Sequence, residues 1–401
     1  MDVTKAQIRA FRLRAHHLET RLPPGALEEA AGACGLQNSP PGAFETAMLQ
    51  RVEGCSLEAL RRALYVEKRL LQAWSYRGAP VVFPTAQSGA FLTALTAREG
   101  EEPWIYTQGV ALALDFLKMD AGDLLPRVLD ACALLDGRTV RGKEALDQLL
   151  ADAVEPGLPE EKRALWRAPS MYGRPDRQTV GGAVVSFLLR PCSFGSRVVF
   201  GEREGTSPTF TSFARWTGRA PEEDPNAPRA LARKFLHCFG PTDETALMGF
   251  LGCTRPQARR LFAAAGGVQA VRVEGKTRYA LPEDAEDLLL GAAEDDRLRL
   301  LGPHDPYLDL RDREVILEES ARQRIVWRTV GNPGVILRGG RVAGVWTARA
   351  RGERLDVLFA PFEPGVRARF GELAALAEEY AAFRALRLED CRVEEDVTGS
   401  Q

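Results

Sequence analysis

Between positions 255 and 280 the chain places six basic side chains, Arg255, Arg259, Arg260, Arg272, Lys276 and Arg278, against a single acid, Glu274. Guanidinium and ammonium groups at this density can neutralise phosphates and release their counterions, so the chemistry they point to is contact with a nucleic-acid backbone. The chain as a whole carries 53 basic and 55 acidic residues, a formal charge of −2. A surface for a polyanion must therefore be a local concentration of this kind. A solvated face on a scaffold that binds protein would have the same composition.

Other chemistries find less support. There is no G-x-x-x-x-G-K-[ST] run for nucleotide phosphates, no H-E-x-x-H and no G-x-S-x-G. Gly181-Gly182 opens a helical run without the strand that a dinucleotide site needs. Asp305, Asp309 and Asp312 are interleaved with Arg311 and Arg313 and contain no glycine, which suits local salt bridges better than a cation loop. Seven cysteines and four histidines show no C-x-x-C spacing and no His/Cys cluster. Reduced thiols in a cytoplasmic protein, without structural zinc or another metal or cofactor, are the expectation. The adjacent His16 and His17 point in different directions on a helix and are expected at its surface or cap. No apolar stretch approaches the roughly 18 residues of a membrane span, and the N-terminus lacks a signal-peptide core.

The elements that must position these residues follow from periodicity and punctuation. In 401 residues, 45% of them hydrophobic and 27% charged, several compact units are expected. Helices are expected over 3–19, 25–34 and 57–73, the last capped by Ser56, followed by an extended run at 79–83. A second group has helical stretches near 109–118, 122–135, 141–153 and 178–189, then β-runs at 197–201 and 208–213 around the polar loop 202–207. The Pro- and charge-rich segment 217–229 reads as a boundary.

Next, Gly240-Pro241-Thr242 ends one helix and opens another. Thr254 and Gln257 form a capping-box pair with Pro256 in the first turn, and Gly266-Gly267 stops that helix. Strands 270–273 and 277–281 flank a Glu274-Gly275-Lys276 turn. Helix, short turn, helix, hairpin is the winged-helix order. Beyond 297 the pattern is β-rich, at 314–317, 324–330, 334–338, 341–350 and 354–359, with a closing helix at 371–387. The expected class is α+β: tandem winged-helix domains at 1–98, 99–224 and 225–296, then a β-rich C-terminal domain at 297–401.

Four segments in this order resemble the AlkZ-like (YcaQ-type) winged-helix DNA glycosylase family. They are Gly35-Leu36-Gln37; Trp74-Ser75-Tyr76-Arg77-Gly78; Phe239-Gly240-Pro241-Thr242; and Leu301 to Leu308 with Asp312-Arg313, Arg322, Val326 and Trp327 beyond. The resemblance implies hydrolysis of the N-glycosidic bond of alkylated or cross-linked purines. Such a base already carries positive charge and leaves readily, so the enzyme must place a water and stabilise an oxocarbenium-like sugar. The Gln37 amide, which both donates and accepts, suits the first task.

Two positions depart from the family pattern. Ser39 stands where a second Gln or an Asp completes the family motif, and Asn38 could substitute only if aimed inward. Ala79-Pro80-Val81 stands where the family continues T-x-H. Two readings follow. One is a monofunctional glycosylase with Gln37, aided by Ser39, as catalytic residues. The other is a non-catalytic damage sensor or regulator. In both, Arg77, Arg255, Arg259, Arg260, Lys276 and Arg278 are the candidate DNA contacts, although the Arg77 stem could instead pack on Trp74. The partner is duplex DNA and a monomer is expected. A third reading uses the winged helices for protein assembly alone.

Overall fold

The computed structural model describes residues 1–102, 107–172, 176–290 and 295–394. The chain divides into two compact units that are not consecutive in sequence: Met1–Ala63 with Arg233–Ala246 and Gly267–Gln401, and Leu64–Ala232 with Leu247–Gly266. The class is mixed helix and sheet.

In the second of these units the helix Val180–Phe194 forms the spine, with its N-terminus capped by Thr179, whose hydroxyl accepts from Gly182 N. Helices Thr107–Leu117, Ala121–Ala131 and Lys143–Val154 pack around it and bury Val184, Leu188, Leu124, Val128, Leu146 and Leu150. Gly181 is dictated by packing: a Cβ there would stand 2.2 Å from the Trp166 indole. That indole is fixed by donating to Ala151 O at 3.0 Å. The strands Leu70–Trp74 and Pro80–Pro84 pair antiparallel, with Trp74 opposite Pro80. Trp74 stacks on Phe210 at 5.3 Å.

The other unit is built on a five-stranded sheet. Its order is Arg387–Val393, Arg354–Pro361, Arg341–Arg351, Gly334–Arg338, Leu298–Leu301, with only the first pair parallel. The helix Phe370–Phe383 covers it through Leu373, Ala377 and Ala381. The N-terminal helix Lys5–Ala15 starts with a Thr4/Gln7 capping box. It is tied in by Arg12, which donates to Phe239 O, Gly240 O and the Asp312 carboxylate at 2.7–3.1 Å.

Several expectations need correction. The run 57–73 is not one helix: Leu57–Arg61 passes through one π-turn, Arg62–Val66, and Leu70–Trp74 is a strand. Lys68, at a φ of 55°, breaks the helix, and pairing with Pro80–Pro84 outweighs helical propensity. Residues Ser320–Val326, read as β from 324, are helical. The closing helix ends at Phe383, where Ala385 turns left-handed and Arg387–Val393 enters the sheet. Helices Ala43–Arg51 and Glu160–Arg167 went unrecognised. The first is buried on nearly every side and so lacks an amphipathic stripe. By contrast, the Glu244–Leu251 and Arg255–Ala264 helices and the Gln269–Val273/Lys276–Ala280 hairpin stand where the sequence placed them.

Candidate nucleic-acid and catalytic site

Gln37 closes a two-residue strand, Leu36–Gln37, at the entry to the Ala43–Arg51 helix. It is half-buried, and its Nε2 donates to the Ser39 carbonyl at 3.1 Å. Asn38 is buried, and its Oδ1 accepts from Gly42 N at 2.7 Å, so its amide oxygen shapes the turn. Gly42 takes a φ of 93°, a conformation that suits glycine, with the Arg384 guanidinium beside it. Ser39 is exposed.

The helix that follows is anchored at both ends. Near its start Glu45 pairs with Arg384, just past the Phe370–Phe383 helix. At its end Arg51 forms a bidentate pair with Asp305, at 2.8 Å to both oxygens, with side-chain exposures of 1% and 0%. Gly302 allows the approach, since a Cβ there would meet the Thr46 methyl at 3.0 Å. The acids 305 and 312 thus do form salt bridges, but to Arg51 and Arg12 far away in sequence rather than to neighbouring arginines.

The predicted basic residues are dispersed. Arg77 does not lie on Trp74. It has a φ of 55°, sits 5.2 and 5.3 Å over the Tyr76 and Phe250 rings, and donates to Phe250 O at 2.6 Å. Arg260 makes a bidentate pair with Glu101 at 2.7 and 2.8 Å. Arg278 pairs with Asp243 at 2.8 Å. Arg255, Arg259 and Lys276 are exposed. Arg255 and Arg259 belong to one compact unit and Lys276 and Arg278 to the other.

A second basic element escaped attention in the sequence. Strands Arg341–Arg351 and Arg354–Pro361 extend past their buried part, and every residue from Thr347 to Arg354 is exposed, including Arg349, Arg351 and Arg354. Arg351 and Arg354 face each other across the Gly352 turn. Their partners Asp356 and Glu389 lie 3.4 and 3.3 Å away at the surface, where such pairs are weak and exchangeable. The signal that could have found it is arginine at 349, 351 and 354 around a glycine turn.

His16, expected at the surface or cap of its helix, is its C-cap; it is buried, and with Cys34 and Cys238 it forms a cluster that sequence spacing hid. None of the seven cysteines is in a disulfide. Among the described residues no helix is long and apolar enough to cross a membrane.

Architecturally this is the fold of a DNA glycosylase. The solved structure of Streptomyces sahachiroi DNA glycosylase AlkZ matches with a TM-score of 0.74 at 23% identity, covering 98% of this chain and 100% of that one. The interstrand DNA cross-link repair glycosylase of Streptomyces sahachiroi is 26% identical over 365 residues, 86% of this chain and 88% of that protein. Residues 30–383 match the family described as DNA glycosylase AlkZ-like, and the chain belongs to that family.

Proposed function

We propose that the protein is a monofunctional DNA glycosylase that hydrolyses the N-glycosidic bond of alkylated or cross-linked purines in duplex DNA. The observation that carries this reading is the fixed Gln37 amide: Nε2 is held by the Ser39 carbonyl, and the turn beneath is set by Asn38 and Gly42. An amide offers two donor and two acceptor directions. Held in one orientation, its Oε1 can accept a hydrogen bond from the attacking water as the C1′–N bond to the charged base lengthens; the base leaves neutral with the bonding electrons, and the added water gives up its proton to solvent. A cationic leaving group lowers the demand for a general acid, so positioning supplies most of the catalysis. Ser39 acts here through its carbonyl.

DNA contact is assigned to exposed cations: Arg255, Arg259 and Lys276 on a helix and hairpin of winged-helix order, and Arg349, Arg351 and Arg354 on the protruding ribbon. A two-stranded ribbon of this kind fits a DNA groove. Arg77, Arg260 and Arg278, which are less exposed, serve mainly to position these elements.

The absence of a carboxylate at position 39 favours the other reading, a non-catalytic damage sensor. Incubation with duplex carrying N7-methylguanine or a nitrogen-mustard cross-link, followed by alkaline cleavage, separates the two. Strand breaks that fall at least 100-fold in Gln37→Ala are expected. Breaks unchanged in that variant remove Gln37 from the mechanism, and none with the parent protein leaves the sensor.

A further inference from the structure

We propose that His16, Cys34 and Cys238 form a binding site for one thiophilic cation, of the Cu⁺ or Zn²⁺ type. The three side chains come from distant parts of the sequence but one compact unit. His16 stands at the end of the Lys5–Ala15 helix, Cys34 beyond the Leu27–Gly32 helix, and Cys238 in the last turn of Ala227–Phe239. All are buried, at 1%, 4% and 0% exposure. Their donor atoms lie within 4.8 Å of one another, and Cys34 Sγ is 3.8 Å from His16 Nδ1. Metal–sulfur and metal–nitrogen bonds of about 2.3 and 2.0 Å span ligand edges of roughly 3.5–3.8 Å, so small side-chain adjustments suffice.

The tautomer of His16 is decided by its other nitrogen. Nε2 lies 3.0 Å from the Cys238 carbonyl oxygen. A carbonyl only accepts, so the proton is on Nε2 and the Nδ1 lone pair remains on the side of the thiols. A ring held by a backbone carbonyl through one nitrogen is how ligating imidazoles are oriented. The Phe239 and Tyr307 rings stand edge-on to His16 at 5.2 and 5.6 Å and close the site from water. Two sulfurs and one imidazole select soft cations over Mg²⁺ or Ca²⁺. Among the described residues no fourth His, Cys, Asp or Glu joins the group, which suits three-coordinate Cu⁺ directly and requires a backbone or water ligand for Zn²⁺.

The function of such an ion is to staple. Cys34 lies three residues before Gln37, so a bound cation would fix the chain that leads into the proposed catalytic loop. Binding itself does not depend on Gln37 being catalytic.

The test uses the full chain, reduced and stripped with chelator. It is titrated with Zn²⁺ against a chromogenic chelator and, anaerobically, with Cu⁺ against bicinchoninate. One equivalent of either cation is expected, the tighter arm identifying the metal. Cys34→Ser and Cys238→Ser should weaken binding at least 100-fold, while Cys132→Ser, in the other unit, leaves it unchanged. Should the serine variants fail to fold, Co²⁺ added to the parent chain reports directly through a thiolate charge-transfer band. No stoichiometric uptake, no such band, or undiminished binding in the serine variants would each overturn the proposal. So would a Cys34–Cys238 disulfide whose reduction restores two thiols but no metal binding. Glycosylase assays on the same preparations keep this outcome separate from the fate of Gln37.

Discussion

Replacing Asn38 by alanine removes the oxygen that accepts from Gly42 N, whereas replacing Ser39 by alanine leaves in place the carbonyl that holds Gln37. Ser39→Ala should therefore keep alkali-labile cleavage within about threefold of the parent, since a ~0.6 kcal/mol change is all that threefold represents. Asn38→Ala should lose the half-buried hydrogen bond, at a cost of ~1 kcal/mol, and reduce cleavage through a loosened turn. Equal loss in both variants would return the hydroxyl of Ser39 to the chemistry. Gln37 was legible as a residue type in a motif; its hold by a backbone carbonyl was not, because every residue carries one. Arg51 and Asp305 show the same limit, being 254 positions apart. Removing Arg51 strands a buried carboxylate, so Arg51→Met should cost ~3–5 kcal/mol in urea unfolding. Arg51→Met with Asp305→Asn should recover much of that loss, and no recovery would mean that the pair is not the source.

At the level of elements, the Arg255–Ala264 helix is fastened by the fork of Arg260 on Glu101. The hydrogen bond from Arg260 is the largest influence on the Glu101 carboxyl and holds it below its usual range near 4.5. The unfolded chain then takes up the proton first on acidification. The pair stabilises fully above the unfolded value, and its contribution is lost as pH falls through the lower folded one. Glu101→Gln should lower unfolding free energy by ~1–2 kcal/mol at neutral pH, with the gap to the parent closing as pH falls below the unfolded value of 4.5 and through the lower folded one. A gap independent of pH would place the effect in packing. This helix and its hairpin were readable because capping residues and glycines punctuate them: Gln257 Oε1 accepts from Thr254 N at 3.2 Å as its spacing predicted. The Ala43–Arg51 helix, which follows the Gln37 turn, was unreadable because its burial is nearly complete and periodicity needs a solvated face. Leu70–Trp74 was misread for a related reason, since its leucines also fit a helical step.

At the scale of the molecule, a formal charge of −2 gives DNA no general attraction to the chain, so affinity must come from a few cations that meet phosphates. The sequence pointed to the 255–278 cluster, but the fold spends Arg260 and Arg278 on acids and allots the remainder to different units. The 347–354 ribbon instead keeps Arg349 and the weakly paired, exposed Arg351 and Arg354 on one hairpin that adds no core residue between Thr347 and Arg354. Such a protrusion costs backbone entropy without burying apolar surface, which makes sense where a partner supplies the contacts. For every phosphate left without its cation, the plot of log affinity against log salt should flatten by about 0.9. Arg349→Ala with Arg351→Ala should therefore flatten it by up to ~1.8 on an undamaged duplex, measured by fluorescence anisotropy between low and physiological salt. Neither residue contributes to the buried core, so the thermal midpoint should stay within a degree or two. Arg255→Ala with Lys276→Ala provides the matched comparison. If that pair changes the slope and the ribbon pair does not, phosphates are met by the residues that composition first suggested, and the ribbon serves another purpose.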